Sequence, residues 1–258
     1  MVDQAYNGSI DVTEWVLYAF WAFFFGLIVY LRREDRREGY PLEDDVSGRH
    51  EPLGGLLFTA QPKVFRLPHN GGVVSKPNAM RDEGELKARR TAPWAGSPLE
   101  PEGDPLQAGV GPGAYARRAN APDLMLHGGA RIVPLRVAED FYLDKKDPDP
   151  RGMAVIGADN AVAGTISDVW VDRSEYIIRY LEVALPDSTK RVLVPMPLAK
   201  IERGRGRVRV NALLASQFAG APSLANPDQI TRDEEERVSA YVGAGLLYAT
   251  PGRAEPWL

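Results

Sequence analysis

The chain has 258 residues, a net charge of -4 and a pI near 5.5, so bulk electrostatic attraction to nucleic acid is not expected. Hydrophobic residues make up 44% and charged residues 26%, the balance of a globular protein. Cysteine is absent and the only histidines are His50, His69 and His127, which excludes disulfides, thiolate metal sites and cysteine nucleophiles and leaves little from which to build a histidine triad or zinc site.

Trp15 to Leu31 reads WVLYAFWAFFFGLIVYL, without charge or strong breaker. Extended back to Val12 it covers about 20 residues, about 30 Å of helix, which matches the hydrocarbon thickness of a bilayer. The spacing predicts a transmembrane helix over 12–31, with Trp15, Tyr18 and Tyr30 toward its ends as an aromatic belt. A signal peptide needs a basic leading region, and residues 1–31 contain no Lys or Arg. Arg32, Arg33, Arg36 and Arg37 crowd the other flank, with Tyr40 close behind. The positive-inside rule therefore puts residues 1–11 in the periplasm and residues 32 onward in the cytoplasm. Glu34, Asp35 and Glu38 interrupt the basic cluster, so a topological role suits it better than a specific lipid site.

Residues 32–150 are expected to be extended. Between 41 and 150 lie 14 of the 21 prolines, and stretches such as SPLEPEGDPLQAGVGPGA cannot form long helices or central strands. Apolar residues nevertheless recur (Val64, Phe65, Leu67, Ile132, Val133, Leu135), which suits a segment wrapped over a surface outside itself; a free linker is the alternative.

Residues 151–210 change in texture. MAVIGAD, VAGTISDVWVD, YIIRYLEVAL, KRVLVPM and RVRVNA are β-branched and aromatic runs divided by the turns GADN, DRSE and PDSTK. Short strands at close spacing predict a small antiparallel barrel or sandwich, some of its strands buried on both faces. Arg203, Arg205, Arg207 and Arg209 recur at period two and are expected on one solvated strand face. Residues 211–258 turn helical: Asn211 is expected to cap ALLASQF, Thr231 and Glu234 form a capping box, and Gly243 and Gly245 are expected to end or loosen the helix that follows.

No nucleotide, calcium or hydrolase motif stands in a fitting context. GVGPGA is interrupted by Pro112, and DPDPRG lacks calcium-loop spacing. The chain is not expected to be an enzyme. One group of carboxylates stands out: Asp168, Asp172 and Glu175 around the turn VDRSE, with Arg179 four residues after Glu175. A solvated hairpin turn accounts for these residue types; a proton relay is the other reading, since carboxylates beside an arginine can pass protons when partly buried.

YLRREDRREGYPLE after a single span resembles the H subunit of the purple bacterial photosynthetic reaction centre. So do PKVFRLPHNGG at 62–72, GDPLQAGVGP at 103–112, RIVPLRVA at 131–138, AGTISDVWVDRSEYIIRYLEV at 163–183 and GLLYATP at 245–251. The blocks come in family order and span nearly the whole chain. The resemblance implies a transmembrane helix plus an α+β cytoplasmic domain, mainly antiparallel β and PRC-barrel-like over 151–210, with an extended Pro/Gly-rich segment and short C-terminal helices. It implies a bacterial inner (intracytoplasmic or chromatophore) membrane protein. Its partners would be the reaction-centre L and M subunits, antenna polypeptides, a cytochrome at the opposite face of the complex, and lipids. No cofactor is expected on the chain itself; bacteriochlorophyll, bacteriopheophytin, quinones and non-haem iron belong to the partner subunits. Capping those subunits, shielding the quinone and iron region from water and delivering protons to the secondary quinone would be its work.

Residue by residue, Asp172 and Glu175 match the family's proton-path carboxylates, Arg179 the nearby arginine, and His127 a surface histidine at the proton entrance. Met125 and Gly129 stand where some members carry a further acid and a second histidine, so a metal-binding entrance of that kind is not expected here. The other function considered is a membrane-tethered PRC-barrel adaptor for another protein or RNA, which leaves the matches outside the barrel without a role.

Overall fold

The computed structural model describes residues 11–37, 60–77, 87–94, 97–186 and 188–254; Tyr40, expected at the membrane interface, lies outside them. The chain divides into two compact units, Met1–Arg81 with Trp94–Gly96, and Asp82–Pro93 with Ser97–Leu258.

In the first unit, helix α1 runs Val12–Glu34. It is longer than the expected span by one basic turn. Asp11 caps it: its Oδ1 accepts from the Glu14 backbone N–H at 2.9 Å, and Glu14 reaches back to the Asp11 N–H at 3.3 Å, a reciprocal capping box. Glu14 thus has a local partner at the helix start. Phe20, Trp21, Phe24 and Phe25 form a continuous band of ring contacts on α1, with centroids 5.5–6.0 Å apart. No residue of α1 is buried within the chain, and among the described residues α1 is the one helix long and apolar enough to cross a membrane. Beyond it, β1 (Lys63–Arg66) and β2 (Val73–Lys76) make an antiparallel hairpin, with Lys63 opposite Lys76 and Arg66 opposite Val73.

In the second unit, β3 (Ala88–Arg90) pairs with β4 (Leu99–Pro101). The main sheet, counted among the described residues, has seven strands: β5 (Ile132–Pro134), β6 (Ala154–Ile156), β7 (Val162–Asp172), β8 (Ile177–Ala184), β9 (Arg191–Pro195), β10 (Lys200–Glu202) and β11 (Arg207–Arg209). The order is β10-β11-β6-β7-β8-β9, with β5 also on β7; all pairs are antiparallel except β11 with β6. Strand β7 is long enough to hold two partners on one edge, β6 along its first half and β5 along its last three residues. Val155, Val169, Leu181, Val183, Val192 and Val208 fill the interior. The runs Val169–Asp172 and Val192–Pro195 are buried throughout, as expected of strands covered on both faces.

Three local expectations are corrected. Arg203 and Arg205 do not share a strand face with Arg207 and Arg209: Arg203–Arg205 is a 3-10 turn closed by Gly206 at φ 59°, and only Arg207–Arg209 is strand. Asn211 caps no helix. Ala212 and Leu213 are drawn into the core in irregular conformation, and a 3-10 turn begins only at Ala215, led by Leu214. Gly243 and Gly245 do not end α2, which runs Arg232–Tyr248. Gly245 is there because α2 lies so close on the Ala212 carbonyl that a Cβ would collide with it. The Thr231–Glu234 box is formed, with Thr231 N–H donating to Glu234 at 2.8 Å and Glu234 N–H to Thr231 at 3.2 Å.

Part of the extended segment also finds its surface within the chain. Leu106, Ala108 and Val110 are buried, and Gly113 lies so close to α2 that a Cβ on it would stand 3.0 Å from the Ala244 methyl. Further along, the Ala121 carbonyl accepts from Arg232, and Arg118 pairs with Glu236 at 3.1 Å. Prolines suit this path because the strap borrows few ladder hydrogen bonds; what holds it is apolar burial, about 1.5–3 kcal/mol for a residue such as Leu106.

Candidate functional site

The β7–β8 hairpin places Asp172 at the last position of β7 and Glu175 in the turn before β8. Asp172 makes its own turn: its Oδ1 accepts from the backbone N–H of Ser174 (2.9 Å) and Glu175 (3.0 Å), while its carbonyl accepts from Tyr176. Tyr176 closes the turn at φ 58° and stacks on Phe141 with centroids 5.3 Å apart. The turn reading and the site reading therefore apply to the same residue.

Asp172 is fully buried, at 0% side-chain exposure, and two guanidinium groups hold it. Arg131 donates through Nε to Oδ1 at 3.0 Å and lies 2.8 Å from Oδ2; Arg179 donates through Nε and Nη2 to Oδ2, both at 3.2 Å. The same two arginines hold Glu175, Arg179 at 2.8 Å and Arg131 in closer contact still, and Arg131 also pairs with Asp123 at 3.1 Å. Glu175 is 48% exposed, so the network runs from solvent to interior. Burial alone would raise the Asp172 carboxyl, but Arg131, the two turn N–H groups and Arg179 together hold it below the ordinary range. Arg131 is raised in turn, chiefly by its hydrogen bond to Asp172.

Arg131, Asp123 and Glu235 escaped the sequence reading. Arg131 arrives through register: β5 places Ile132 opposite Asp172, and the Arg131 carbonyl accepts from Arg173 N–H. Only the pairing of RIVP with the end of VWVD brings it near, and forty residues of sequence hide that. Glu235, on the first turn of α2, accepts from the buried Tyr180 hydroxyl at 3.0 Å. Burial pushes its carboxyl up despite the Tyr180 hydrogen bond and nearby Arg179, and it pushes the Tyr180 hydroxyl up as well.

Asp168, grouped with Asp172 by sequence, belongs to a different network. Strand residues four apart lie about 13 Å from one another, too far to share a pair. Asp168 stands opposite Glu182 on β8, two like charges that would repel. Arg136 bridges them, with Nη1 3.0 Å from each, and also pairs with Asp228 at 3.2 Å. Glu182, 3% exposed, further receives Arg191 at 2.9 Å, Ser167 at 2.7 Å and Trp170 Nε1 at 2.9 Å. Burial would raise the Glu182 carboxyl, but these donors lower it overall.

His127 sits in an exposed turn, closed by Met125 N–H to Gly129 O and Gly128 N–H to Met125 O. Met125 Sδ accepts from the Ser174 hydroxyl at 3.1 Å, which joins this turn to the one carrying Glu175. Among the basic residues in the last turn of α1 and just beyond it, Arg32 faces Asp35 loosely at 3.5 Å. Arg37 is only 9% exposed and chelates Glu34 through Nε and Nη2, both at 2.9 Å. Among the described residues no group of three His, Asp or Glu side chains is placed to hold a metal ion.

A seven-stranded, mostly antiparallel sheet with an apolar interior and buried carboxylates on its β7–β8 hairpin points to the class: residues 144–215 match the PRC-barrel domain. Residues 4–137 match the photosynthetic reaction centre H-chain N-terminal region, more than half of the sequence, and the chain belongs to that family. It is accordingly a non-catalytic subunit of the reaction-centre complex, with L and M subunits as the implied partners and α1 as its apolar membrane helix.

Proposed function

We propose that this H chain caps the cytoplasmic face of the L and M subunits, with its N-terminus periplasmic, shields the quinone and iron region from water, and carries protons inward through Glu175 and Asp172. The observation that carries the proton path is the shared pair of guanidiniums. Arg131 and Arg179 each touch both carboxylates, one half-exposed and one fully buried, so a proton reaching Glu175 finds the next acceptor inside one hydrogen-bonded network. Held ionised, Asp172 is an acceptor in transit rather than a reservoir. Glu235, raised by burial, is the carboxyl of this neighbourhood that takes up a proton more readily than a free one. His127 is the surface collector on this reading, in the turn that Ser174 and Met125 join to the hairpin. The quinones on the partner subunits supply the redox chemistry. The arginines at 32, 33, 36 and 37, against none before residue 32, support the orientation. Antenna polypeptides, a cytochrome at the opposite face and lipids are the further neighbours this reading assigns.

Glu175→Gln tests it. Flash-induced kinetics on the assembled complex should show the second, proton-coupled electron transfer to the secondary quinone slowed by about 10-fold or more, general acid–base groups contributing about 10²–10⁴ when fully engaged, with the first transfer little changed. Equal second-transfer rates in variant and parent would remove Glu175 from the path.

A further inference from the structure

We propose that the β1–β2 hairpin lies in the lipid headgroup layer, where it binds anionic phospholipid and forms a second membrane contact beside α1. The argument starts from depth. Val12–Leu31 fills about 30 Å of hydrocarbon, and the headgroup layer beyond it is about 5–8 Å thick. Glu34 lies three residues past Leu31, about 4.5 Å further along the helix axis, hence within that layer. The hairpin is fastened at this level. Lys63, the first residue of β1, donates to Glu34 Oε2 at 2.7 Å and has its ammonium 5.8 Å from the centroid of the Tyr30 ring. Arg37 closes the clasp from the other side: while chelating Glu34 it donates to the Gln61 carbonyl, just before β1, and to the Lys76 carbonyl, which ends β2, at 3.2 Å. Both ends of the hairpin are thus bound to the last turn of the membrane helix and the turn after it.

What the hairpin displays there fits the layer. Val64 is 70% and Val73 66% exposed, and Phe65 is exposed as well, on a two-stranded ribbon that cannot bury an apolar face by itself. Lys63, Arg66 and Lys76 occupy three of the four strand ends and flank these residues, and neither strand carries an acid. Apolar side chains flanked by cations suit a surface that is hydrocarbon on one side and phosphate on the other, where Lys and Arg are drawn to an anionic leaflet. Continuity with the span and charge complementarity together select the bilayer surface as the occupant.

The chain has no cysteine, so a nitroxide can be placed at Val64→Cys or Val73→Cys and the labelled chain assembled with L and M in vesicles of phosphatidylcholine and phosphatidylglycerol. Collision with oxygen should exceed collision with a water-soluble nickel chelate at both positions, and the order should reverse for a label at Asp140→Cys, in an exposed loop of the second unit. In the same vesicles Arg66→Gln with Lys76→Gln should shift the Val64 label toward the water-like ratio. Collision with neither reagent would mean that protein covers the hairpin, and a nickel-dominated ratio would mean that water does; either overturns the proposal. A ratio unchanged by removing the two cations would overturn the anionic-lipid part.

Discussion

Asp172 carries two loads that can be separated. As a turn residue it needs only an acceptor oxygen for the Ser174 and Glu175 N–H groups; as the centre of the ion-pair network it needs charge to balance Arg131 and Arg179. Asp172→Asn keeps the oxygen and loses the charge, whereas Asp172→Ala loses both. Removing one partner of a buried pair costs about 3–5 kcal/mol, and the partial exposure of both arginines puts Asp172→Asn at or below the lower end of that range. Asp172→Ala also strands two backbone donors and should be less stable than Asp172→Asn by a further 1–2 kcal/mol or so, read from chemical denaturation of the two variants. Equal stabilities would mean that the turn bonds contribute nothing. The proton-path reading adds that Asp172→Asn slows proton delivery although it keeps the turn.

Among the elements, α2 shows how little spare room the fold leaves. A Cβ at Gly245 would collide with the Ala212 carbonyl oxygen and meet Leu213 Cδ2 at 2.7 Å, whereas one at Gly243 would meet only the Pro112 carbonyl, at 3.2 Å. Overpacking costs about 1–3 kcal/mol and Gly-to-Ala in a helix returns up to about 1 kcal/mol. Gly245→Ala should therefore lower the thermal midpoint clearly, because backbone rather than a flexible side chain opposes it, and Gly243→Ala should stay within about 1 kcal/mol of the parent. The same contrast marks what could be read from the sequence. The long apolar helix at the N-terminal end, the β texture after residue 151 and the Thr231 box rest on local periodicity and capping, and they stand in the structure. Helix-breaking by Gly243 and Gly245, the Arg203–Arg209 face and the Asn211 cap were also local readings, and tertiary contacts overrode them: a close carbonyl, a left-handed Gly206 and a core that needs Leu213. Of the site, Asp172, Glu175 and Arg179 are legible because one hairpin carries them. Arg131 and Glu235 are not, because strand pairing and helix packing bring them in from distant sequence.

At the scale of the molecule, the most deeply buried carboxylates among the described residues lie in two arginine-bridged networks, one at the tip of β7–β8 and one across the middle of those strands. Both hold a carboxyl below its ordinary range, Asp172 in the first and Glu182 in the second, each by donors that outweigh burial. A depressed folded-state value means that the folded protein binds fewer protons than the unfolded chain between the two values. The stability these groups contribute is present above the unfolded carboxylate range and is lost as pH falls through the folded values. Glu235 works in the opposite sense: burial raises it, so its ionisation opposes folding at neutral pH and protonation relieves that cost first. Denaturant midpoints should therefore hold level or rise slightly as pH drops from neutral toward the ordinary carboxylate range, then fall steeply below it. Glu182→Gln should be less stable at neutral pH, by roughly the 3 kcal/mol at the lower end for breaking a buried pair, since Arg136 keeps Asp168 and Arg191 is half-exposed. Its acid limb should also be shallower, because one of the depressed carboxyls no longer titrates. A variant whose acid limb matched the parent's would place the proton uptake elsewhere and leave Glu182 a structural hydrogen-bond acceptor for Trp170 and Ser167.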